Sequence, residues 1–148
     1  MLRSAKQLQT EANAFAVCPR DKLAVRAWLT AAEDKIRDAD NVGVSLGTRF
    51  EAAYDAAFFI ALAVLNAEGW KSRSVEGHHA YVLEAACLAV AASTSTFERL
   101  DAVRDIRNQK YAGVVRVEAD LHDARRVFDE FSDLAGAWFL AHHPTLLK

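Results

Sequence analysis

The 148-residue sequence has little of what interrupts helices, with only 2 prolines and 6 glycines. Its 2 cysteines, Cys18 and Cys87, match no metal-ligand spacing and no disulfide framework. The amino terminus lacks the apolar segment of a signal peptide. There is also no run of about 18 uncharged apolar residues that would span a membrane. These absences predict a cytoplasmic protein with no membrane span.

Common catalytic and metal-binding signatures are missing as well. The sequence contains no G-x-S-x-G, no glycine-rich phosphate loop and no H-E-x-x-H. His78 and His79 are adjacent, as are His142 and His143, and adjacent residues of a regular helix point in different directions. His122 stands alone. We therefore expect no metal site and no cofactor.

The composition favours a globular helical protein. It is 52% hydrophobic and 26% charged, which excludes a disordered chain. Alanine is abundant and β-branched residues are thinly spread, which favours helices over strands. The net charge is -2, so any binding to nucleic acid has to come from a local patch. The length predicts one domain that covers residues 1–148.

Apolar residues recur at helical spacing along most of the chain. Two capping boxes, Thr48 with Glu51 and Ser95 with Glu98, mark predicted helix starts. The predicted helices cover residues 4–17 (a short leading helix within 1–19), 21–41, 48–68, 78–91, 95–111 and 117–142, with a polar loop at 71–77. Short connections between such helices predict an all-α, antiparallel up-and-down helical bundle of four to five helices.

One stretch, residues 99–116, holds five basic residues and two acidic ones. Within it, four residues at the spacing i, i+3, i+4 and i+7 share one helix face. Guanidinium groups fit phosphate oxygens, and a tyrosine ring provides a surface on which a base stacks. The pattern predicts a nucleotide- or RNA-binding face formed by Arg104, Arg107, Asn108, Lys110 and Tyr111. The alternative is that the arginines pair with Asp101 and Asp105 or lie on the outer, solvent-exposed face of the helix.

Three groups of residues together resemble the HEPN superfamily, and within it the small stand-alone bacterial proteins called UPF0332-like. Residues 49–59 read RFEAAYDAAFF, similar to the "A-Y-x-A-x-F" helix of that family. Gly69 and the Gly77-His78-His79 helix start follow, where relatives have a G-H pair. Arg104-x-x-Arg107-Asn108-x-x-Tyr111 is the third group. In this order they cover about residues 21–140.

The resemblance implies a homodimer with the arginines of both chains facing a shared cleft. Catalytic relatives cut RNA there without metal, using an R-x4–6-H motif, and Arg104 and Arg107 match its arginine. The histidine is missing: residues 109–114 contain none, and Tyr111 is a poor general base at neutral pH. From the resemblance we therefore expect this chain to bind RNA or a nucleotide. Metal-independent endoribonuclease activity stays an open alternative. The roles of His78, His79 and His122 are left undecided.

The expected function is thus a HEPN-like dimeric nucleotide- or RNA-binding protein. The resemblance further implies the toxin-like component of a two-gene toxin–antitoxin system, beside a nucleotidyltransferase-like or antitoxin partner. The competing hypothesis is a non-catalytic helical protein–protein interaction module. Its surface would use Trp28, Trp70 or Trp138, although tryptophans at helical spacing are more often core residues.

Overall fold

A computed structural model describes residues 1–109 and 117–148 of the chain. Over these residues the elements are α1 Ala5–Ala12, β1 Phe15–Val17, α2 Lys22–Ala39, α3 Leu46–Ala67, β2 Trp70–Ser72, α4 His78–Ala89, α5 Thr94–Asn108 and α6 Glu118–His142, with a 3₁₀ turn at Pro144–Leu147. The predicted all-α helical bundle is confirmed. The described part contains six helices, which are the short leading helix α1 and the five helices α2 to α6, where the bundle was predicted to have four to five.

The amino-terminal segment differs from its prediction. The helix expected over residues 4–17 ends at Ala12, because Asn13 adopts a left-handed backbone with a φ of 53°. The chain then extends and pairs as β1 with β2 in an antiparallel ladder, with Phe15 opposite Ser72. Residues 70–72, mostly predicted as loop, form the second strand. Each strand is three residues long, too short for an alternation pattern to reveal it.

Two helix starts lie upstream of their predicted capping residues. Ser45, not Thr48, caps α3, and its Oγ accepts a hydrogen bond from the Thr48 backbone N–H at 3.3 Å. Likewise Ser93, not Ser95, caps α5 by accepting from the Thr96 N–H at 3.1 Å. In both places the residue that caps the helix is a serine that precedes the predicted capping residue, by three positions in α3 and by two in α5.

Several predicted boundaries agree closely with the structure. Asp21 caps α2 and accepts from two backbone N–H groups, at 3.0 and 3.3 Å. Gly69 follows the end of α3 with a φ of 85°, as expected of a glycine after a helix. Helix α6 begins one residue after the predicted start and ends at His142. The predicted end of α5 near Tyr111 lies outside the described residues.

Helix α3 is the centre of the molecule, since it packs against α2, α4, α5 and α6. Most of its residues are buried, including Phe50, Tyr54 and Val64. Its alanines are all buried and allow the neighbouring helices to approach closely; they are Ala52, Ala53, Ala56, Ala57, Ala61, Ala63 and Ala67. By length and composition alone α3 also qualifies as a membrane-spanning helix, but 72% of its apolar window is buried inside the protein, as in a core helix.

Candidate functional site

Helix α5 carries the predicted binding face and lies against both α4 and α6. Arg104 and Arg107 are half-buried on it, and Asn108 is exposed at its last residue. Arg107 Nη1 makes a long contact of 3.5 Å with Asn108 Oδ1. Lys110 and Tyr111, which complete the predicted face, lie outside the described residues. The described part of the site is therefore the two arginines and the asparagine.

Arg104 is committed in part to a carboxylate of its own helix. Its Nε donates to Asp101 Oδ1 at 2.7 Å, across one turn. This hydrogen bond raises the pKa of Arg104. The alternative recognised in the sequence, pairing with Asp101, thus applies to this arginine. A guanidinium has five N–H donors, however, and the Asp101 bond uses one of them.

Arg107 lies over an aromatic ring of α3. Its Cζ is 5.4 Å from the centroid of the Tyr54 ring, within the range of a cation–π contact. Tyr54 is 1% exposed, so its ring is a fixed platform beneath the guanidinium. Burial raises the pKa of Tyr54, with Arg107 and Arg104 acting in the opposite direction. The phenol therefore keeps its proton at neutral pH.

Helix α4 contributes a histidine to this aromatic platform. Tyr54 Oη and His79 Nδ1 are 2.9 Å apart, a hydrogen-bond distance. The imidazole also stacks on Phe58, with ring centroids 4.2 Å apart and an angle of 15° between the planes. We call Tyr54, Phe58, His79, Arg104 and Arg107 the arginine–histidine cluster. It joins α3, α4 and α5.

The electrostatics of the cluster keep the imidazole neutral. The pKa of His79 is lowered to about 4, first by burial and then by His78, Arg107 and Arg104. Both arginines are thus close enough to His79 to act on its charge. A neutral imidazole carries one N–H donor and one acceptor nitrogen. The cluster combines two permanent cations with a neutral hydrogen-bonding ring.

A groove of about 460 Å³ borders the cluster on the side of α2. Arg107 lines it together with Asp38, Glu51, Asp55 and Lys35. Lys35 forms a 3.8 Å ion pair with Asp55. Three carboxylates against two cations make this groove an unfavourable path for a polyanion.

The other histidines stand apart from the cluster or have a structural role. His78 Nδ1 and its backbone N–H both lie 3.1 Å from the Val75 carbonyl oxygen, which fixes the turn before α4. His122 is exposed on α6 and lines a different groove with Arg49 and Arg125. Across residues 1–109 and 117–148, no three His, Cys, Asp or Glu side chains come close enough to hold a metal ion.

The chain was compared with models of known protein families, with curated proteins and with solved structures. None of them matches.

Sequence reasoning did not select Tyr54 or His79 as site residues. Both lie in the motifs that resemble the HEPN superfamily, Tyr54 in RFEAAYDAAFF and His79 in the helix start at Gly77, but the sequence predicts no binding role for either. The two residues are 25 positions apart and meet only because α4 packs on α3. A polar tyrosine in the middle of an alanine-rich buried helix was the available signal, since a buried hydroxyl requires a partner.

Proposed function

We propose that this chain is a HEPN-like, dimeric protein that binds the phosphate groups of RNA or of a nucleotide through the arginine–histidine cluster. The observation that supports this most strongly is the position of Arg107, whose guanidinium lies over the Tyr54 ring beside Arg104. The aromatic platform holds the charge in place, so less side-chain entropy is lost when an anion binds.

The neighbouring charges favour one direction of approach. The groove on the α2 side contains Asp38, Glu51 and Asp55, which repel a polyanion. His79 of α4, which belongs to the cluster, is neutral and does not repel an anion. A phosphate is therefore expected to reach Arg104 and Arg107 from the side of α4. Because the whole protein carries a charge of -2, binding depends on this local arrangement.

The substitution Arg107→Ala tests the proposal. It should weaken the binding of a fluorescein-labelled single-stranded RNA oligonucleotide about tenfold or more, as for the loss of a hydrogen bond to a charged group. The slope of log K against log salt should also become shallower by about 0.7. Arg37→Ala is the matched control, because it removes the same charge from an exposed arginine that pairs with Asp34 on α2. Fluorescence anisotropy measures both effects, and 5′-AMP as a competitor separates recognition of a nucleotide from that of a strand.

Equal RNA affinity of the Arg107→Ala protein and the wild type would contradict the site assignment.

A second candidate, a helical protein–protein interaction module, is favoured by the Arg104–Asp101 pair, which occupies part of the predicted face. The affinity of such an interface for its partner would change little with salt concentration, whereas the affinity for phosphate groups falls steeply as the salt concentration rises.

Metal-independent RNA cleavage is the catalytic form of this proposal. Long incubation of the protein with RNA and EDTA should produce cyclic-phosphate ends if the cluster is catalytic.

Dimerisation, which the resemblance implies, is measured in the same preparations by analytical ultracentrifugation. The two-gene system is tested by co-purification with a nucleotidyltransferase-like or antitoxin partner.

A further inference from the structure

The ring of His79 is held in one orientation by two contacts. Phe58 stacks on its face, and the Tyr54 hydroxyl lies 2.9 Å from Nδ1. The phenol keeps its proton, because burial makes it a weaker acid. An imidazole nitrogen is a better acceptor than a phenol oxygen, so the favoured bond is Tyr54 O–H donating to Nδ1.

The Tyr54 bond also determines where the single proton of the neutral ring resides. The hydrogen bond at one imidazole nitrogen sets the protonation of the other. With Nδ1 accepting from Tyr54, the proton of His79 is on Nε2, at the other edge of the ring. His79 is half-buried, so part of it remains accessible to a ligand, and both Arg104 and Arg107 lie within electrostatic range.

We propose that His79 is a further binding residue of the cluster, and that its Nε2–H donates a hydrogen bond to a phosphate oxygen attracted by Arg107 and Arg104. This inference rests on the proposed function. The two arginines supply charge, and the neutral imidazole supplies one directed donor whose position Tyr54 and Phe58 fix. His78 has a separate role, because its Nδ1 forms a hydrogen bond with the Val75 carbonyl oxygen.

Three variants separate this role from a structural one. His79→Ala removes the donor and should weaken binding of the labelled RNA about tenfold. His79→Gln places an amide N–H near the position of Nε2 and should restore most of the affinity. His122→Ala removes an exposed histidine of α6 and should leave the affinity unchanged. Circular dichroism of each variant establishes that it is folded.

Nitrogen-15 NMR of the wild-type protein distinguishes the two tautomers of the His79 imidazole directly, without any substitution. The inference requires a neutral His79 with the proton on Nε2 at about pH 7. A proton on Nδ1 would overturn it. So would a folded His79→Ala protein that binds RNA as the wild type does while Arg107→Ala binds weakly, and the arginine site would then stand without the histidine. If Arg107→Ala also binds normally, the proposed function itself fails.

The pH dependence of binding gives a further distinction. A neutral donor contributes equally between about pH 6 and 8. The groups that face the ring in the described residues are Tyr54 of α3, His78 of α4, and Arg104 and Arg107 of α5. The affinity ratio of the wild type to His79→Ala should stay constant over this range. A ratio that grows as the pH falls would mean that His79 binds as a cation, which contradicts the inference.

Discussion

At the scale of single residues, His79 shows how burial and neighbouring charge act together. Two arginines and a second histidine all disfavour its protonated form, and burial is the largest cause. In an unfolded chain the same imidazole has a pKa of about 6.5. The unfolded state therefore binds more protons than the folded state between the two values, and stability depends on pH there.

The sign of this effect follows from the lowered pKa. The stabilisation by neutral His79 is complete above about pH 6.5 and is lost as the pH falls towards about 4. Because the ring is only half-buried, solvent screening reduces the expected loss to about 1–2 kcal/mol. His79→Gln does not titrate, so its free energy of unfolding should fall less over this window. Urea unfolding at both ends of the window measures the difference, with His122→Gln as the exposed control.

The carboxylates titrate in the same range, but wild type and variant share them. Parallel stability curves for the wild type and His79→Gln would show that the folded protein does not lower the pKa of His79. Burial also acts on the thiol of Cys87. It is completely buried, its pKa is raised to about 12, and it is chemically inert.

At the scale of secondary-structure elements, α5 carries the predicted face, and its start determines the register of that face. The Ser93 hydroxyl caps the helix and also lies 3.1 Å from the Thr96 hydroxyl. Thr96 in turn donates to Glu130 of α6 at 2.9 Å, which connects the helix start to the bundle. The hydrogen bonds from Arg99 and Thr96 lower the pKa of Glu130.

The two serines near this helix start provide a matched pair of variants. Ser93→Ala should lower the free energy of unfolding by about 1 kcal/mol, because it removes the cap. Ser95→Ala should change it by less than about 0.5 kcal/mol, since Ser95 is exposed inside the first turn and alanine favours a helix. Chemical denaturation of both variants tests which serine is the cap. The reverse order of effects would support the capping box at Ser95 and Glu98.

At the scale of the whole molecule, a charged contact joins the amino-terminal segment to the bundle in addition to its apolar packing. Arg3 donates to Glu84 of α4 from its backbone N–H at 2.7 Å, from Nε at 2.9 Å and from Nη2 at 3.1 Å. Glu84 is 7% exposed, so its side chain is largely shielded from water. The pair fixes the start of α1 beside α4.

Removing one partner of this pair should affect the whole fold. Arg3→Ala leaves the Glu84 carboxylate buried without its main partner, and we expect a loss of about 3 kcal/mol in the free energy of unfolding. Arg37→Ala, which breaks an exposed pair on α2, should cost less than about 1 kcal/mol. Thermal and urea unfolding measure both. Equal effects of the two variants would mean that the Arg3–Glu84 contact is as weak as a surface pair.

The sequence by itself determined the helical class, the helix boundaries near Asp21 and Gly69, and the arginine pair of α5. Each of these depends on residues within one or two turns, because capping, helical spacing and the helix face are local properties. Even the misplaced starts at Thr48 and Ser95 were errors of three and two residues, between hydroxyl side chains of similar capping ability.

Only the tertiary structure decided which side chains from distant parts of the chain meet. The contacts of Arg107 with Tyr54, of Tyr54 with His79 and of Arg3 with Glu84 join residues far apart in the chain. The β1–β2 pairing is equally non-local, with Phe15 opposite Ser72. Such contacts depend on how the apolar faces of several helices pack at once, and no local pattern in the sequence encodes that.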